Sequence, residues 1–142
     1  MDLPEPRSGL VVRYGFLWAN EAGRGQVEAA KDRPCAIIVT VQTEGGLRVT
    51  LAPVTHAPPR TEQVHVELSA AECRAAGLDA AHHWVVVTEL NRFVWPGYDL
   101  REVPGTGRAA YGMLPRGAMN RVFAAILELQ AKHSAPRTTG RD

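Results

Sequence analysis

The sequence has no long hydrophobic run and no recognisable export signal. Nothing in its 142 residues approaches the roughly 18 consecutive apolar residues that indicate a membrane-spanning helix. The amino-terminal stretch MDLPEPRSG lacks the basic region and the apolar core of a signal peptide. These two absences predict a cytoplasmic protein.

An excess of charge of one sign is also missing. The formal net charge is +1 at pH 7, and Lys31 and Lys132 are the only lysines among 16 basic residues. No molecule-wide field therefore favours nucleic acid, so phosphate binding would need a local cluster of basic residues. Arginine suits bidentate phosphate binding, although a GC-rich genome produces the same bias without any functional reason.

Cysteine is scarce, and several familiar motifs are absent. Cys35 and Cys73 lack CxxC spacing, so they predict neither a zinc site nor a disulfide framework. The pair His82-His83 has no further metal-ligating residue at a suitable spacing. The sequence contains no P-loop, no GxGxxG and no GxSxG. We therefore predict no metal and no other cofactor.

The patterns that are present predict short strands joined by tight turns. The pair Gly45-Gly46 is typical of a hairpin turn, because glycine readily adopts positive φ. Ser69 and Glu72 form a capping box at a helix start, and Gly77 fits the residue that ends this helix. Strands are predicted at residues 10–18, 35–41, 48–54, 64–68, 84–88 and 90–95.

A final helix is predicted over residues 115–131, where apolar residues recur every three or four positions. Because this helix follows the strands, an alternating βα arrangement is excluded. The expected fold class is mainly β with helices (α+β), as a small antiparallel barrel with a C-terminal helix. Residues 1–133 should form one domain, with a long loop over 20–32 and an irregular stretch over 101–110. Residues 134–142 are expected to be a disordered tail.

Three positions carry candidate chemistry. Arg33 precedes Pro34, which favours extended backbone before it, and an arginine at a strand mouth presents five fixed donors. Thr55 ends the strand of the same hairpin, so Arg33 and Thr55 should face one site. Glu28 on the long loop could orient Arg33 or act as a base. Each of the three also has a purely structural explanation. Arg33 could form an ion pair with its neighbour Asp32, and the Thr55 hydroxyl could bind loop backbone. Glu28 could be a solvated loop residue.

The order of these motifs resembles the MazF/PemK toxin family. The pattern Gly-x-x-Glu28-x-x-x-x-Arg33-Pro34 before an apolar strand resembles the first signature of that family. The stretch Ala52-Pro53-Val54-Thr55 is similar to its second, and Leu114-Pro115 with the last helix is similar to its usual ending. The resemblance covers residues 10 to 131, almost the whole chain.

This resemblance implies an SH3-like or CcdB-like barrel that forms a homodimer and is restrained by a cognate antitoxin. It implies a metal-independent endoribonuclease that cuts single-stranded mRNA by attack of the RNA 2′-hydroxyl. Arg33 and Thr55 would be the catalytic pair, assisted by Glu28. Since arginine is a poor base, Glu28 and His56 are both candidate bases. The residues expected to bind RNA are Trp18, Arg24, Lys31, His56 and Arg60.

The sequence also departs from the family pattern. Residues 29–32 replace a glycine that the family often has before its arginine, and residues 91–111 are longer and more aromatic than expected. These departures predict a divergent branch of the family. Two other functions are open: a non-enzymatic toxin of the CcdB type that binds gyrase through the last helix, and an SH3-like interaction module.

Overall fold

The computed structural model describes residues 1–29, 31–132 and 134–142. Within these ranges the chain forms an α+β fold built mainly from antiparallel strands, as the sequence predicts. The elements in chain order are β1 (Leu10–Tyr14), α1 (Ala19–Gly23), β2 (Arg33–Thr43), β3 (Gly46–Thr55), β4 (His65–Glu67), α2 (Ala70–Ala75), β5 (Trp84–Val86), β6 (Glu89–Val94), β7 (Leu100–Arg101), β8 (Ala110–Met113), α3 (Arg116–Ala131) and β9 (Arg137–Gly140).

The strands form one branched sheet. Its main path runs in the order β4-β5-β3-β2-β1-β7. β6 joins this path at β3 and also pairs with β9, whereas β8 pairs with β1. The pairing of β6 with β9 is parallel, and the other pairings between named strands are antiparallel. In the part of the chain that the structure describes, the path of paired strands does not close into a ring.

The predicted hairpin between β2 and β3 is confirmed, and it sets the position of the site. Its turn ends at Gly46, which has a φ of 123° that side-chain-bearing residues rarely adopt. At the opposite end of the hairpin, Cys35 pairs with Pro53. Arg33 and Thr55 each lie two residues beyond this pair, at the same end of the hairpin.

β1 and the adjoining halves of β2 and β3 are buried on both faces, so side chains that alternate along them enter two different cores. One face packs against α2 and α3, and the other against Phe93 of β6 and the loops around it. The first core includes Val11, Ala36, Ala52, Val54, Met119 and Val122. The second includes Val12, Tyr14, Cys35, Ile37, Leu51 and Phe93.

The two predicted helices after the hairpin are confirmed. At the start of α2 the backbone N–H of Glu72 donates to the Ser69 hydroxyl at 3.1 Å, and the Glu72 carboxylate accepts from the Ser69 N–H at 2.8 Å. After the helix Gly77 has a φ of 73°. α3 begins at Arg116, directly after Pro115. Among the described residues, no helix has the length and apolar character needed to cross a bilayer.

Three segments differ from the expectations. The predicted loop over residues 20–32 overlaps the short helix α1, and the irregular stretch is bounded by the short strands β7 and β8. Residues 134–142, expected to be a disordered tail, contain β9, which pairs with Leu90 and Asn91 through Thr138 and Thr139. This tail is polar, but its backbone donors and acceptors find partners on β6, and local composition does not reveal that pairing.

Candidate functional site

A pocket of about 430 Å³ lies where the hairpin strands β2 and β3 end. One wall is formed by Trp18 and α1, and the opposite wall by the loop that follows β3. Seven of the eight residues expected from the sequence to be catalytic or to bind RNA line this pocket: Trp18, Arg24, Lys31, Arg33, Thr55, His56 and Arg60. The antiparallel register brings the start of β2 and the end of β3 to this place, whereas Trp18 and Arg24 reach the pocket from the two ends of α1.

Arg33 is the central cation of the pocket. Its guanidinium carbon lies 5.3 Å from the centroid of the Trp18 ring, within the range of a cation–π interaction. Its Nε atom is buried without a hydrogen-bond partner among the described residues. Burial lowers the pKa of Arg33, and the negative charge of Glu21 partly offsets this effect. Arg33 thus brings a partly buried positive charge to the pocket.

Thr55 and His56 form the opposite side of the site. Thr55 pairs with Trp84 of β5 as β3 ends, and its hydroxyl donates to the carbonyl of Ala57 at 3.2 Å. That hydroxyl oxygen still has lone pairs that can accept a hydrogen bond. The next residue, His56, is exposed and lines the pocket. An imidazole in this position can accept or deliver a proton.

Glu21 was not recognised as a site residue from the sequence. It lies in the third position of α1, is only 9% exposed, and lines the pocket. Its carboxylate accepts a hydrogen bond from the backbone N–H of Trp18 at 3.0 Å. Glu21 therefore fixes the start of α1 and the backbone of the residue that stacks against Arg33. The signal in the sequence is an acid three residues after a helix start, but the polar composition of residues 20–32 favours a loop.

The rim of the pocket carries more positive than negative charge. Among the described lining residues, Arg24, Lys31, Arg33 and Arg60 face only two carboxylates, Glu21 and Asp32. Arg60 is paired with Glu62 at 3.1 Å, but both side chains are exposed, so this pair contributes little stability and can rearrange. Because the net charge of the protein is small, phosphate binding would need a local cluster of basic residues, and this pocket contains one.

Glu28 is the predicted site residue that does not line the pocket. Its side chain is exposed, and its backbone carbonyl accepts a hydrogen bond from the Gln26 side chain at 2.6 Å. The structure therefore brings His56, but not Glu28, into the pocket with Arg33. Both residues had been candidate bases from the sequence alone.

The histidine pair lies apart from the pocket. His82 contacts Glu67 at 3.2 Å, and the buried His83 contacts Asp79 at 2.8 Å. Across residues 1–29, 31–132 and 134–142, no three histidine, cysteine or carboxylate side chains are grouped closely enough to share a metal ion. Burial raises the pKa of the Cys35 thiol, so the thiolate form that a nucleophile needs is disfavoured.

Comparison with other proteins gives no further identification. The chain matches no family model, and searches against curated proteins and solved structures give no match. Its function must therefore be argued from the pocket itself.

Proposed function

We propose that this protein is a metal-independent endoribonuclease of the MazF/PemK kind and that the pocket around Arg33 is its active site. The observation that carries the proposal is the convergence of Arg33, Thr55 and His56 in one positively charged pocket. The three side chains come from two adjacent strand ends and supply a fixed cation, a hydroxyl and an imidazole. These are suitable groups for transphosphorylation of RNA.

Arg33 is assigned to charge stabilisation. When the 2′-hydroxyl attacks the neighbouring phosphorus, negative charge increases on the oxygens of the phosphorane. A guanidinium donates in its own plane, so its stacking on Trp18 leaves these donors available for phosphate oxygens. A preorganised donor of this type contributes on the order of 10²–10³ in rate. Thr55 is assigned to a hydrogen bond with the same phosphate.

His56 is assigned as the base. It removes the proton of the 2′-hydroxyl while the 2′-oxygen forms its bond to phosphorus and the bond from phosphorus to the 5′-oxygen breaks. The leaving 5′-oxygen takes a proton from the imidazolium or from water. The products are then a 2′,3′-cyclic phosphate and a 5′-hydroxyl end, so the step needs no further reactant.

The remaining residues of the pocket are assigned to RNA binding. Trp18 offers an aromatic surface, and Arg24, Lys31 and Arg60 are placed to neutralise flanking phosphates. The proposal includes the biology that the resemblance implies: a toxin of a toxin–antitoxin system that acts in the cytoplasm, forms a homodimer and is restrained by its antitoxin. It also includes the finer fold assignment, a small barrel of the SH3-like or CcdB-like type.

The test is incubation of the purified protein with a long single-stranded RNA in EDTA. Wild type should produce fragments with 5′-hydroxyl ends, and Arg33→Ala should lower the rate on the order of 10²–10³. Arg48→Ala is a matched control, because Arg48 is exposed and lies seven residues from Thr55 on the same strand. Intact RNA with folded wild-type protein, or equal losses in both variants, would contradict the proposal.

A second candidate, a non-enzymatic toxin of the CcdB type that binds gyrase, is favoured by a different observation. On α3, Phe123 is 37% exposed and Leu127 is 64% exposed, so the helix presents an apolar patch to solvent. Replacement of both residues by serine should abolish toxicity in this case, whereas Arg33→Ala should leave toxicity unchanged. The endoribonuclease proposal predicts the opposite dependence on Arg33.

A further inference from the structure

Arg141 is a charged side chain that the proposed chemistry does not use, although it is only 3% exposed. It follows β9, and its backbone N–H donates to the carbonyl of Arg92 at 3.0 Å, which extends the pairing between β9 and β6. A buried arginine is costly unless its donors are satisfied. Its partners therefore show what the side chain holds in place.

The guanidinium of Arg141 joins four separate parts of the chain. Nη1 donates to the carbonyl of Gly15 at 2.6 Å and to the side-chain oxygen of Asn91 at 3.1 Å. Nη2 is 3.1 Å from the carboxylate of Asp99 and 3.4 Å from the carbonyl of Val27. The guanidinium carbon also lies 5.5 Å from the centroid of the buried Tyr14 ring.

Two of these contacts, to the carbonyls of Gly15 and Val27, lie on either side in sequence of the pocket wall that contains α1. Gly15 precedes the wall in sequence, and Val27 follows it. Between them, Asn91 accepts a hydrogen bond from the N–H of Leu17 at 2.9 Å and donates to the carbonyl of Leu17 at 2.8 Å. Arg141 therefore contacts both ends of the segment from Gly15 to Val27, which contains Trp18.

Gly15 is tightly enclosed at this junction. A Cβ atom on Gly15 would lie 3.3 Å from the Asp32 carboxylate, 3.4 Å from the Ala29 side chain and 3.8 Å from the Asp99 side chain. The backbone N–H of Gly15 also donates to the carbonyl of Asp99 at 3.0 Å. Movement of Arg141 would therefore disturb the packing around Gly15. Asp32, which lines the pocket, is part of that packing.

We infer that Arg141 is a positioning residue of the RNA site, and that docking of β9 on β6 holds the wall containing Trp18 and Glu21 in its binding geometry. Arg141 does not line the pocket around Arg33, so it acts through the segment from Gly15 to Val27. Its effect on RNA rests on the proposed function. Its effect on the wall does not depend on RNA and can be measured separately.

The test compares Arg141→Ala and Arg141→Lys with Arg137→Ala, a matched arginine that is exposed on β9. The first readout is amide hydrogen exchange over residues 17–26, which includes the bonds from Ala22 to Trp18 and from Gln26 to Glu21. Both Arg141 variants should exchange faster in this segment, whereas amides of the β2–β3 hairpin and the whole Arg137 variant should match wild type. Unchanged exchange in either folded Arg141 variant would overturn the inference.

The second readout is binding of a single-stranded RNA with methylated 2′-hydroxyl groups, which cannot be cleaved by 2′-hydroxyl attack, with and without free guanidinium. Arg141→Ala should weaken binding about tenfold, as expected from the loss of charge-assisted hydrogen bonds, and millimolar guanidinium should restore part of the affinity. An equal loss in Arg137→Ala, or no recovery with guanidinium, would overturn the inference. If wild type binds no RNA, the proposed function fails, and hydrogen exchange still decides the role of Arg141.

Discussion

The guanidinium of Arg33 lies over the indole ring of Trp18, with its central carbon 5.3 Å from the ring centroid. Arg33 begins β2, whereas Trp18 immediately precedes α1, so this contact links the hairpin to the opposite wall of the pocket. The aromatic face restrains the cation without using its hydrogen-bond donors, which remain available to an anion. The RNA site proposed here depends on this pair.

Replacement of Trp18 by alanine should therefore weaken RNA cleavage while Arg33 is retained. A cation–π contact of about 0.5–2 kcal/mol corresponds to a loss of roughly 2- to 30-fold in kcat/KM, and Trp18→Phe should recover most of it. Initial rates on a defined oligonucleotide measure this change. Tyr98→Ala serves as the aromatic control, because Tyr98 is 93% exposed and does not line this pocket. A wild-type rate in Trp18→Ala would contradict a role for the stacked pair.

The two candidate bases should respond differently to substitution. His56→Ala should lower the cleavage rate by about 10²–10⁴, which is the usual contribution of a general base. Glu28→Gln should cleave at the wild-type rate, because the Glu28 side chain is exposed and outside the pocket. Single-turnover rates with the same oligonucleotide measure both effects. Full activity in His56→Ala together with a large loss in Glu28→Gln would reverse this assignment.

The ion pair between Glu72 and Arg121 should make folding stability depend on pH. Arg121 donates two hydrogen bonds of 2.8 Å to the Glu72 carboxylate, which, together with the Ser69 backbone N–H, lower the pKa of Glu72 to about 2. A lowered pKa contributes stability that is complete above the unfolded value near 4.5 and is lost as pH falls through about 2.

Glu72→Gln should therefore lower the free energy of unfolding at pH 7 by about 1 kcal/mol, since the half-exposed arginine is screened by solvent. The difference from wild type should shrink below pH 4 and disappear near pH 2, and urea unfolding at several pH values measures it. Glu128→Gln is the control, because its pair with Lys132 is exposed on both sides. A difference that does not vary with pH would show that lost packing, not charge, causes the destabilisation.

Gly77 should be far less replaceable than another glycine of similar backbone conformation. Its φ is 73°, and an added Cβ would overlap the carbonyl oxygen of Tyr111 and lie 2.8 Å from its carbonyl carbon. Gly105 has a φ of 77° but open space around it. Gly105→Ala should cost about 1–2 kcal/mol from backbone strain alone. Gly77→Ala should cost several kcal/mol more, or the variant should fail to fold. Thermal unfolding of both variants measures the difference. An equal loss of stability in Gly77→Ala and Gly105→Ala would exclude the steric effect.

Much of the fold could be predicted because its signals are local. The glycine turn defines the hairpin, and the hairpin brings Arg33 and Thr55 to the same end of two paired strands. The capping box at Ser69 and the apolar periodicity before Ala131 likewise depend on neighbouring residues, and both helices are found close to their predicted positions. One side of the candidate pocket follows from the same local signals, since Arg33, Thr55 and His56 flank the strand ends.

The unpredicted parts depend on contacts distant in sequence. Glu21 is buried at the site in a segment that is held at Leu17 by Asn91, 74 residues further along the chain. The polar segment Arg137–Gly140 becomes a strand only because β6 offers it backbone partners. Arg141 makes its closest polar contact with a residue 126 positions earlier. No window of local sequence contains these relationships.

The docking of β9 on β6 also bears on aggregation between copies of this protein. Without β9, β6 would present unpaired backbone groups at an open sheet edge beside the apolar residues Leu90 and Phe93, and such edges promote aggregation. β9 covers this edge with a short strand of arginine, threonine and glycine. The docking of β9 should thus also keep the protein dispersed at high concentration.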